Sequence, residues 1–297
     1  MFPRTAGIMS LAGGLEAGAL GRRLATFFPP QFHVNTLVAA SGNTVNARAR
    51  YLVRNNGYAS AAVESFAGNV IGTGIKPASL VGDPVLKENI QAAWLRWTDE
   101  SDAEGLTDFY GQLRRAAREL FIAGEVFIRF RPRLLSDGLS VPLQLQMLPA
   151  EQLSSTMSEP VEGGNVVRQG VEFNKIGQRV AYWFWRNHPG DITDLKYAGG
   201  IPVRVPASEV LHIFDPVEGG QTRGLSKMAP AIVKLWLLDV YDDAELDRKK
   251  VAALFAGFIT RPDADGVMMG EGKPDALGTA LAGLQPGTMQ VLLPAKT

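Results

Sequence analysis

Residue types that perform catalysis or bind metals are few in this sequence, and they lie far apart. The chain has three histidines, His33, His188 and His212, and no cysteine. None of the histidines has a partner at the spacing that a metal site requires, and the lack of thiols excludes disulfides and thiolate ligands. His212 alternates with apolar neighbours as a strand residue does. We therefore predict no metal site, and we expect His212 to pair with a neighbouring strand.

No catalytic group of nucleophile, base and orienting residue can be assembled from the sequence. It contains neither a G-x-S-x-G elbow nor an H-E-x-x-H motif. The densest acidic group is Asp239, Asp242 and Asp243, whose spacing along a helical pattern suits pairing with a neighbour better than two-metal catalysis. We predict no catalytic residue, no cofactor, and no nuclease, protease or nucleotide-hydrolysing activity.

The glycine-rich segment at 68–77, GNVIGTGIKP, has some features of a phosphate-binding loop. Such a loop needs Gly-Lys-Ser/Thr at the start of a helix, whereas Lys76 is followed by Pro77 at the end of a helical pattern. A helix C-terminus followed by an exit strand is the favoured interpretation. The alternative is a nucleotide-binding enzyme that uses this segment and oligomerises through a long helix.

That long helix is the strongest secondary-structure signal of the chain and spans 224–260. Neither proline nor glycine occurs between Pro230 and Gly257. With Ser226 as the N-cap, we predict about 28 helical residues, or about 42 Å. Its apolar residues wind around the axis, so more than one face must be covered. Charged residues interrupt the apolar run too early for a membrane span. We call this helix the rod.

The charged residues of the rod are sorted along its length, acidic first and basic after. A solvated helix face is one interpretation of this pattern. In the other, copies of the chain pack side by side with a stagger, so that the acidic part of one rod faces the basic part of the next, as in a heterologous ring contact. The residues predicted for this subunit interface are Asp239, Asp242, Asp243, Glu245, Asp247, Arg248, Lys249 and Lys250.

The composition of the 297 residues is that of an ordinary globular protein, with 30 Lys plus Arg balanced by 30 Asp plus Glu. A nucleic-acid binder normally shows a basic excess or patch. Arg48, Arg50 and Arg54 form one local basic group, for which a solvated face is favoured over contact with DNA phosphates or a partner. No secretory signal is recognisable at the N-terminus, so we expect the protein to stay where it is made.

The order of elements predicts an α+β fold. We expect a flexible N-terminal arm at 1–43, and helices before strands in the region up to the rod. The predicted helices are 44–56, 59–70, 84–98 and 107–123, the last with Thr107 as its cap. The predicted strands are 125–131, 143–147, 171–174, 179–185 and 209–214, in an antiparallel sheet. After the rod, we expect a strand at 258–261, a helix at 274–284 and a strand at 289–293.

Several long segments, in this order, resemble the portal proteins of lambda-like tailed bacteriophages. They include the helix with Trp94 and Trp97, followed by Asp102 and Phe109, and the pair His188-Pro189. One difference is Ser101, where the family often has cysteine. The remaining segments are ARARYLVRNNGYASAAVESFAGNVIGTGIKP (47–77), RELFIAGEVFIRF (118–130), LQLQMLPAEQL (143–153), GVEFNKIGQRVAYWF (170–184), RVPASEVLHIFDP (204–216) and GQTRGLSKMAP (220–230).

The resemblance implies a domain organisation and a role. It implies an α+β wing at 44–224, a stem helix at 225–256 and part of an α/β clip at 257–297. Portal proteins of this family form rings, typically of twelve copies, at one capsid vertex, and DNA is packaged and ejected through the central tunnel. Family members continue through a second stem helix, a tunnel loop and a crown, so we expect this chain to be a C-terminally truncated form that does not close rings alone.

The implied partners follow from the same resemblance. They are other copies of the chain, the terminase large subunit, capsid and head-completion proteins, and double-stranded DNA that passes without sequence specificity; no membrane is implied. The implied location is the portal vertex of the virion, assembled in the host bacterial cytoplasm, or encoded by a prophage. A near-neutral chain fits a conduit, since a basic tunnel would hold DNA through counterion release and oppose sliding.

Overall fold

Four helices make up the first half of the protein, which we describe from a computed structural model covering residues 22, 26–193 and 200–254, with the backbone of 258–260 and 290–292. Side-chain caps set the start of each helix. Asn56 both ends α1 and caps α2, since its side chain accepts a hydrogen bond from the Ala59 N–H at 2.9 Å. The helices are α1 (Val34–Asn55), α2 (Gly57–Ile71), α3 (Pro84–Glu100) and α4 (Phe109–Ile122).

Two predicted helix starts are wrong. Helix α1 begins at Val34, ten residues before the predicted Thr44 and inside the stretch assigned to the arm. Tertiary contacts explain this, because Glu218 accepts a hydrogen bond from the Val34 N–H at 2.9 Å and fixes the first turn. Helix α4 is capped by Asp108, which accepts from the Gly111 N–H at 2.7 Å, and not by Thr107.

Two antiparallel sheets form the second half. The first has the strand order β2-β1-β8, and the second is the meander β3-β4-β5-β6-β7. Alternating hydrophobicity predicted β1 and β2, a hairpin pattern predicted β5 and β6, and β8 was also predicted, whereas β3, β4 and β7, of two to four residues, were not. The strands are β1 (Glu125–Pro132), β2 (Leu143–Leu148), β3 (Pro160–Val161), β4 (Asn165–Arg168), β5 (Val171–Phe173), β6 (Arg179–Phe184), β7 (Val203–Pro206) and β8 (Val210–Phe214).

The central strand β1 separates two apolar layers. Val126 points to one face, where it packs with Met147 of β2 and Ala116 of α4. Phe127 points to the other face and packs against Tyr182 and other residues of the five-stranded sheet. A third cluster joins α1, α2 and α4 to the start of the rod. The described residues before the rod are therefore layered as helices, three-stranded sheet and five-stranded sheet, which is the predicted α+β class.

The rod is helix α5 (Ile232–Leu254), 23 residues and about 35 Å long. It begins later than predicted, because residues 227–231 form turns, at whose start Ser226 accepts a hydrogen bond from the Met228 N–H. Strands β9 (Phe258–Thr260) and β10 (Gln290–Leu292) pair in parallel, at the two positions predicted for strands. The predicted helix at 274–284 lies outside the described residues. No helix among the described residues is long and apolar enough to cross a membrane.

Candidate subunit interface

The root of the rod is tied to the sheet by one buried carboxylate, Glu125 of β1. Its two oxygens accept hydrogen bonds from Arg223 Nε at 2.7 Å, from the Gly224 N–H at 2.8 Å and from His212 Nε2 at 2.9 Å. The guanidinium of Arg223 also donates to the Ala150 carbonyl at 3.0 Å. Arg223 and Gly224 lie just before the turns that lead into α5. This network therefore fixes the position of the start of the rod relative to β1.

Burial and the neighbouring groups shift the pKa values of Glu125 and His212 in opposite directions. Burial by itself raises the pKa of Glu125, but the charge of Arg223 and the hydrogen bond from His212 outweigh it and hold that pKa at about 2. Burial lowers the pKa of His212 below its usual range, although Glu125 opposes this. The ring lies between Phe127 and Phe214, at centroid distances of 4.3 and 4.5 Å. The predicted pairing of His212 with a neighbouring strand is confirmed.

Two glycines let the backbones of this region touch. Gly124 precedes Glu125, and a Cβ built on it would lie 2.1 Å from the carbonyl group of Leu225. A Cβ on Gly224 would lie 2.3 Å from the Gly124 oxygen. Sequence reasoning missed this site. The available signal was a glutamate followed by three apolar residues at the start of β1, and an Arg-Gly pair just before the rod.

After its first turn the rod exposes many large apolar side chains that no described residue covers fully. Ile232 is buried in the helical cluster and Leu235 packs partly against it. Trp236 contacts Tyr51 of α1 edge to face at 6.3 Å. Eight large apolar side chains of α5 are 41–62% exposed, and they wind around the helix: Val233, Trp236, Leu237, Leu238, Val240, Tyr241, Leu246 and Val251. Large apolar side chains exposed together on one element often mark an interaction surface.

The predicted interface charges pair within their own helix. Arg248 contacts Glu245 at 2.6 Å, Lys249 contacts the same carboxylate at 3.8 Å, and Lys250 contacts Asp247 at 3.0 Å. All these cations are about 70% exposed or more. Such exposed ion pairs contribute little to stability, so their side chains can exchange partners at small cost. The staggered contact between subunits therefore stays a prediction.

The first acidic residues of the rod lie in two different settings. Asp239 accepts a hydrogen bond from the Asn56 side chain at 2.6 Å, so it joins the rod to the α1–α2 junction. Asp242 and Asp243 are exposed. Of the predicted acidic set, Asp239 thus has a role within the chain.

The three arginines of α1 do not act as one basic patch. Arg50 points inward and donates to Glu119 at 2.7 and 2.9 Å and to Glu151 at 2.6 and 2.8 Å. Burial alone would lower the pKa of Arg50, but these hydrogen bonds raise it above its usual range. Arg48 and Arg54 are exposed. Arg50 is thus occupied inside the subunit, and only its two neighbours are placed to meet DNA or a partner.

The segment at 68–77 has the geometry of a helix end. Helix α2 stops at Ile71, Gly72 adopts a φ of 57°, and Gly74, with a φ of 97°, packs against the ring of Tyr110. The next helix begins only at Pro84, so no helix N-terminus follows the glycines. The expected exit strand does not form, because residues 75–82 are irregular. Among the described residues, no group of three His, Asp or Glu could hold a metal ion.

An apolar groove opens between α1 and the first turns of the rod. Its volume is about 570 Å³. The rings of Tyr51 and Trp236 form its walls and are each about half exposed, whereas Leu52 and Ile232 at its base are buried. The residues that line this α1–α5 groove are Ala47, Arg48, Tyr51, Leu52, Ile232, Val233 and Trp236.

Comparison with known proteins gives consistent matches. The family described as phage portal protein, lambda family, matches residues 20–297. Portal protein B of Escherichia phage lambda is 26% identical over 258 residues, which cover 80% of this chain and 47% of that protein. The probable portal protein of Halomonas phage phiHAP-1 is 29% identical over 224 residues, covering 72% and 42%.

The chain thus spans less than half the length of these two relatives. Among solved structures, a chain of the neck of an empty GTA particle computed with C6 symmetry matches with a TM-score of 0.40 and 16% identity, over 80% of this chain and 60% of that chain.

Proposed function

The chain belongs to the lambda family of phage portal proteins, and on that premise we propose that it is a structural subunit of a ring-shaped DNA conduit at a capsid vertex. The ring, of about twelve copies as the family resemblance implies, serves genome packaging, head–tail joining and DNA ejection. Its partners are other copies of the chain, the terminase large subunit, and capsid and head-completion proteins. Double-stranded DNA passes through it without sequence readout. Assembly takes place in the host bacterial cytoplasm.

The observation that best supports this proposal is the exposed apolar surface of the rod. Each large apolar side chain left in water forgoes roughly 1.5–3 kcal/mol. Because the eight exposed residues surround the helix, one neighbouring surface does not cover them all. A ring places each rod between two neighbours, and a heterologous contact repeated around the ring covers opposite sides of every copy.

The electrostatic balance supports a conduit over a DNA-binding protein. The chain has no net charge, and Arg50 is neutralised by two carboxylates of its own subunit. Tight binding to DNA needs several cations at the phosphates. The alternative of a nucleotide-binding enzyme has no support from the geometry of 68–77 or from the relatives.

A charge reversal on the rod tests the proposed contact between subunits. We expect that changing Arg248, Lys249 and Lys250 to glutamate in the native gene product lowers the yield of rings in negative stain, with little change in thermal unfolding. The matched control reverses three exposed lysines outside the rod, Lys76, Lys87 and Lys175. If the rod variant assembled as well as the control at low salt, the staggered contact would be wrong.

A further inference from the structure

Three arginines lie on one face of the hairpin formed by β1 and β2. Arg129, Arg131 and Arg133 are spaced two residues apart on extended backbone, so their side chains leave the same side of the strand. Arg133 follows the last residue of β1, but its N–H donates to the Pro142 carbonyl at 3.0 Å and continues the ladder. With about 6.8 Å between successive members, their Cα atoms span about 14 Å. We call these three residues the arginine row.

The arginine row is only partly neutralised within the subunit. Glu209 accepts a hydrogen bond from Arg129 at 3.0 Å. Arg133 donates to the side-chain oxygen of Gln144 at 2.8 Å, which is a neutral partner. Among the described residues, no carboxylate lies within ion-pair distance of Arg131 or Arg133. The row therefore holds two uncompensated cations.

Repulsion within the row affects its middle member most. Burial and the charges of Arg129 and Arg133 lower the pKa of Arg131 below its usual range, and Glu209 only partly opposes them. Like charges that are neighbours on a sheet face destabilise the fold. The row is thus unfavourable in the isolated subunit, and a bound anion would relieve the repulsion.

The surroundings of the row are polar, which bears on the kind of anion. The residues opposite Arg129 and Arg131 on β2 are Gln146 and Gln144, and all of these side chains are partly exposed. Protein–protein interfaces deplete charged residues from their cores, whereas interfaces with DNA are more polar and much more positively charged. Guanidinium groups also match phosphate oxygens in a planar, bidentate geometry. These features favour a phosphodiester backbone over an acidic protein surface.

The end of the hairpin that carries the row is open on one side. Strand β8 pairs with β1 only as far as Arg129. Arg131 and Arg133 therefore lie past the end of β8 and have only β2 beside them. The span of about 14 Å covers about four phosphates of one DNA strand, at 3.4 Å of helix axis per phosphate.

We propose that the arginine row contacts the phosphate backbone of double-stranded DNA. The inference deepens the proposed function and rests on it for the identity of the polyanion, because DNA is the cargo of the proposed conduit. Two uncompensated cations per copy make a weak contact that is independent of base sequence and sensitive to salt. Such a contact guides DNA without holding it in place, as a conduit requires.

Fluorescence anisotropy of a labelled DNA duplex of mixed sequence tests this contact on the native gene product. The logarithm of the binding constant falls with the logarithm of the salt concentration, by about 0.9 for each phosphate contact. Arg131→Gln combined with Arg133→Gln should therefore reduce this slope by about 1.8 and weaken binding about tenfold or more at about 50 mM salt. The matched control, Lys87→Gln with Lys175→Gln, removes the same charge from two exposed positions elsewhere and should leave both quantities unchanged.

Thermal unfolding of the single variant Arg131→Gln separates binding from folding. Since Arg131 is repelled by its neighbours, this variant should keep or raise the melting temperature, while the salt slope of DNA binding falls by about 0.9. A lower melting temperature with unchanged DNA binding would show that Arg131 has a partner within its own chain, and would overturn the inference.

An acidic protein surface is the competing occupant, because the loop after the row exposes Leu134 and Leu135. Poly-glutamate is the probe for it. If the double variant lost poly-glutamate binding but bound DNA as well as wild type, the DNA contact would be refuted. Equal loss of DNA binding in the double variant and the control, or no DNA binding by wild type at low salt, would also overturn the inference.

Negative-stain images of the same samples separate this inference from the proposed function. The double variant should form rings as wild type does, and loss of its rings alone would place the row in a subunit contact and overturn the inference. Rings whose DNA affinity does not depend on the row refute the DNA contact alone. DNA binding through the row without any rings supports the contact and refutes the proposed ring.

Discussion

Replacing Glu125 with glutamine should destabilise the protein strongly, because it removes the carboxylate that compensates the buried Arg223. Three N–H groups, from Arg223, Gly224 and His212, converge on the two carboxylate oxygens. Glutamine keeps the shape but offers one acceptor oxygen and turns an NH2 group toward the remaining donors. The variant therefore leaves a buried cation without a counter-charge and at least one donor without an acceptor.

Two independent arguments give the expected loss in the free energy of unfolding of Glu125→Gln. Removing one partner of a buried ion pair costs about 3–5 kcal/mol. The pKa of Glu125 falls from its ordinary 4.5 to about 2 in the folded state, which corresponds to about 3 kcal/mol. Because this pKa is depressed, the stabilisation is fully present above pH 4.5 and is lost as the pH falls through about 2. At pH 7.5 we therefore expect a loss of about 3 kcal/mol or more.

Urea denaturation followed by tryptophan fluorescence at pH 7.5 measures this loss. With m-values of about 1–3 kcal/mol per molar, the midpoint should fall by at least about 1 M. The matched control is Glu172→Gln. Glu172 is equally buried, but its partner Arg204, at 2.8 Å, is 45% exposed and returns to water when the carboxylate is removed. The control should lose only about 1–2 kcal/mol.

If Glu125→Gln and Glu172→Gln lost equal amounts of stability, the reasoning would be refuted. Burial of the partner arginine would then not determine how much stability is lost. A double variant of Glu125→Gln and Arg223→Gln adds a further check. Removing both charges should return part of the stability lost in Glu125→Gln. A double variant less stable by the full sum of the single losses would show that the two side chains act independently.

Three further predictions concern His212, Gly124 and Arg50. Burial depresses the pKa of His212, so below about pH 6.5 its imidazole binds a proton in the unfolded chain but not in the folded one. The free energy of unfolding therefore falls as the pH is lowered from 7.5 to 5.5. His212→Phe should make this fall smaller in urea titrations. Gly124→Ala, whose Cβ would overlap the Leu225 backbone, should abolish folding or lower the melting temperature far more than Gly138→Ala, where φ is 77° and the space is open; equal effects would contradict the packing argument. Arg50→Gln should lower the free energy of unfolding by about 2 kcal/mol or more, since Glu119 and Glu151 lose their shared partner. Arg48→Gln should change the free energy of unfolding, measured by thermal unfolding, by no more than about 0.5 kcal/mol.

Alternating hydrophobicity was enough to predict the longer strands of the sheets. In β1, Arg129 and Arg131 alternate with Ile128 and Phe130, and in β2 two glutamines alternate with apolar residues, so both strands show the period of two that sequence reasoning detects. The end of α2 was equally predictable, because Gly72 adopts a positive φ that glycine tolerates best. These signals are local, and each depends on residues close in sequence.

The errors arose where distant residues decide the local structure. The start of α1 depends on Glu218, 184 positions away, and residues 34–43, which were assigned to the N-terminal arm, lie inside the helix. Arg50 looked like a surface cation until the fold brought Glu119 and Glu151 to it. The pairing of Glu125 with Arg223 joins residues 98 positions apart, so no short motif announces it.

The attachment of the rod at one end makes it a lever. Its root is the packed backbone of Gly124 and Gly224 with the charges around Glu125, and the hydrogen bond from Asn56 to Asp239 still holds its second turn, so the lever arm is the helix from 240 to 254. For a support about as wide as a helix, roughly 10–12 Å, these residues, about 22 Å long, magnify displacement about twofold, so a shift of about 1 Å at the support moves the end of the helix about 2 Å. A small rearrangement beside β1 should therefore appear as a larger displacement at the far end of the helix.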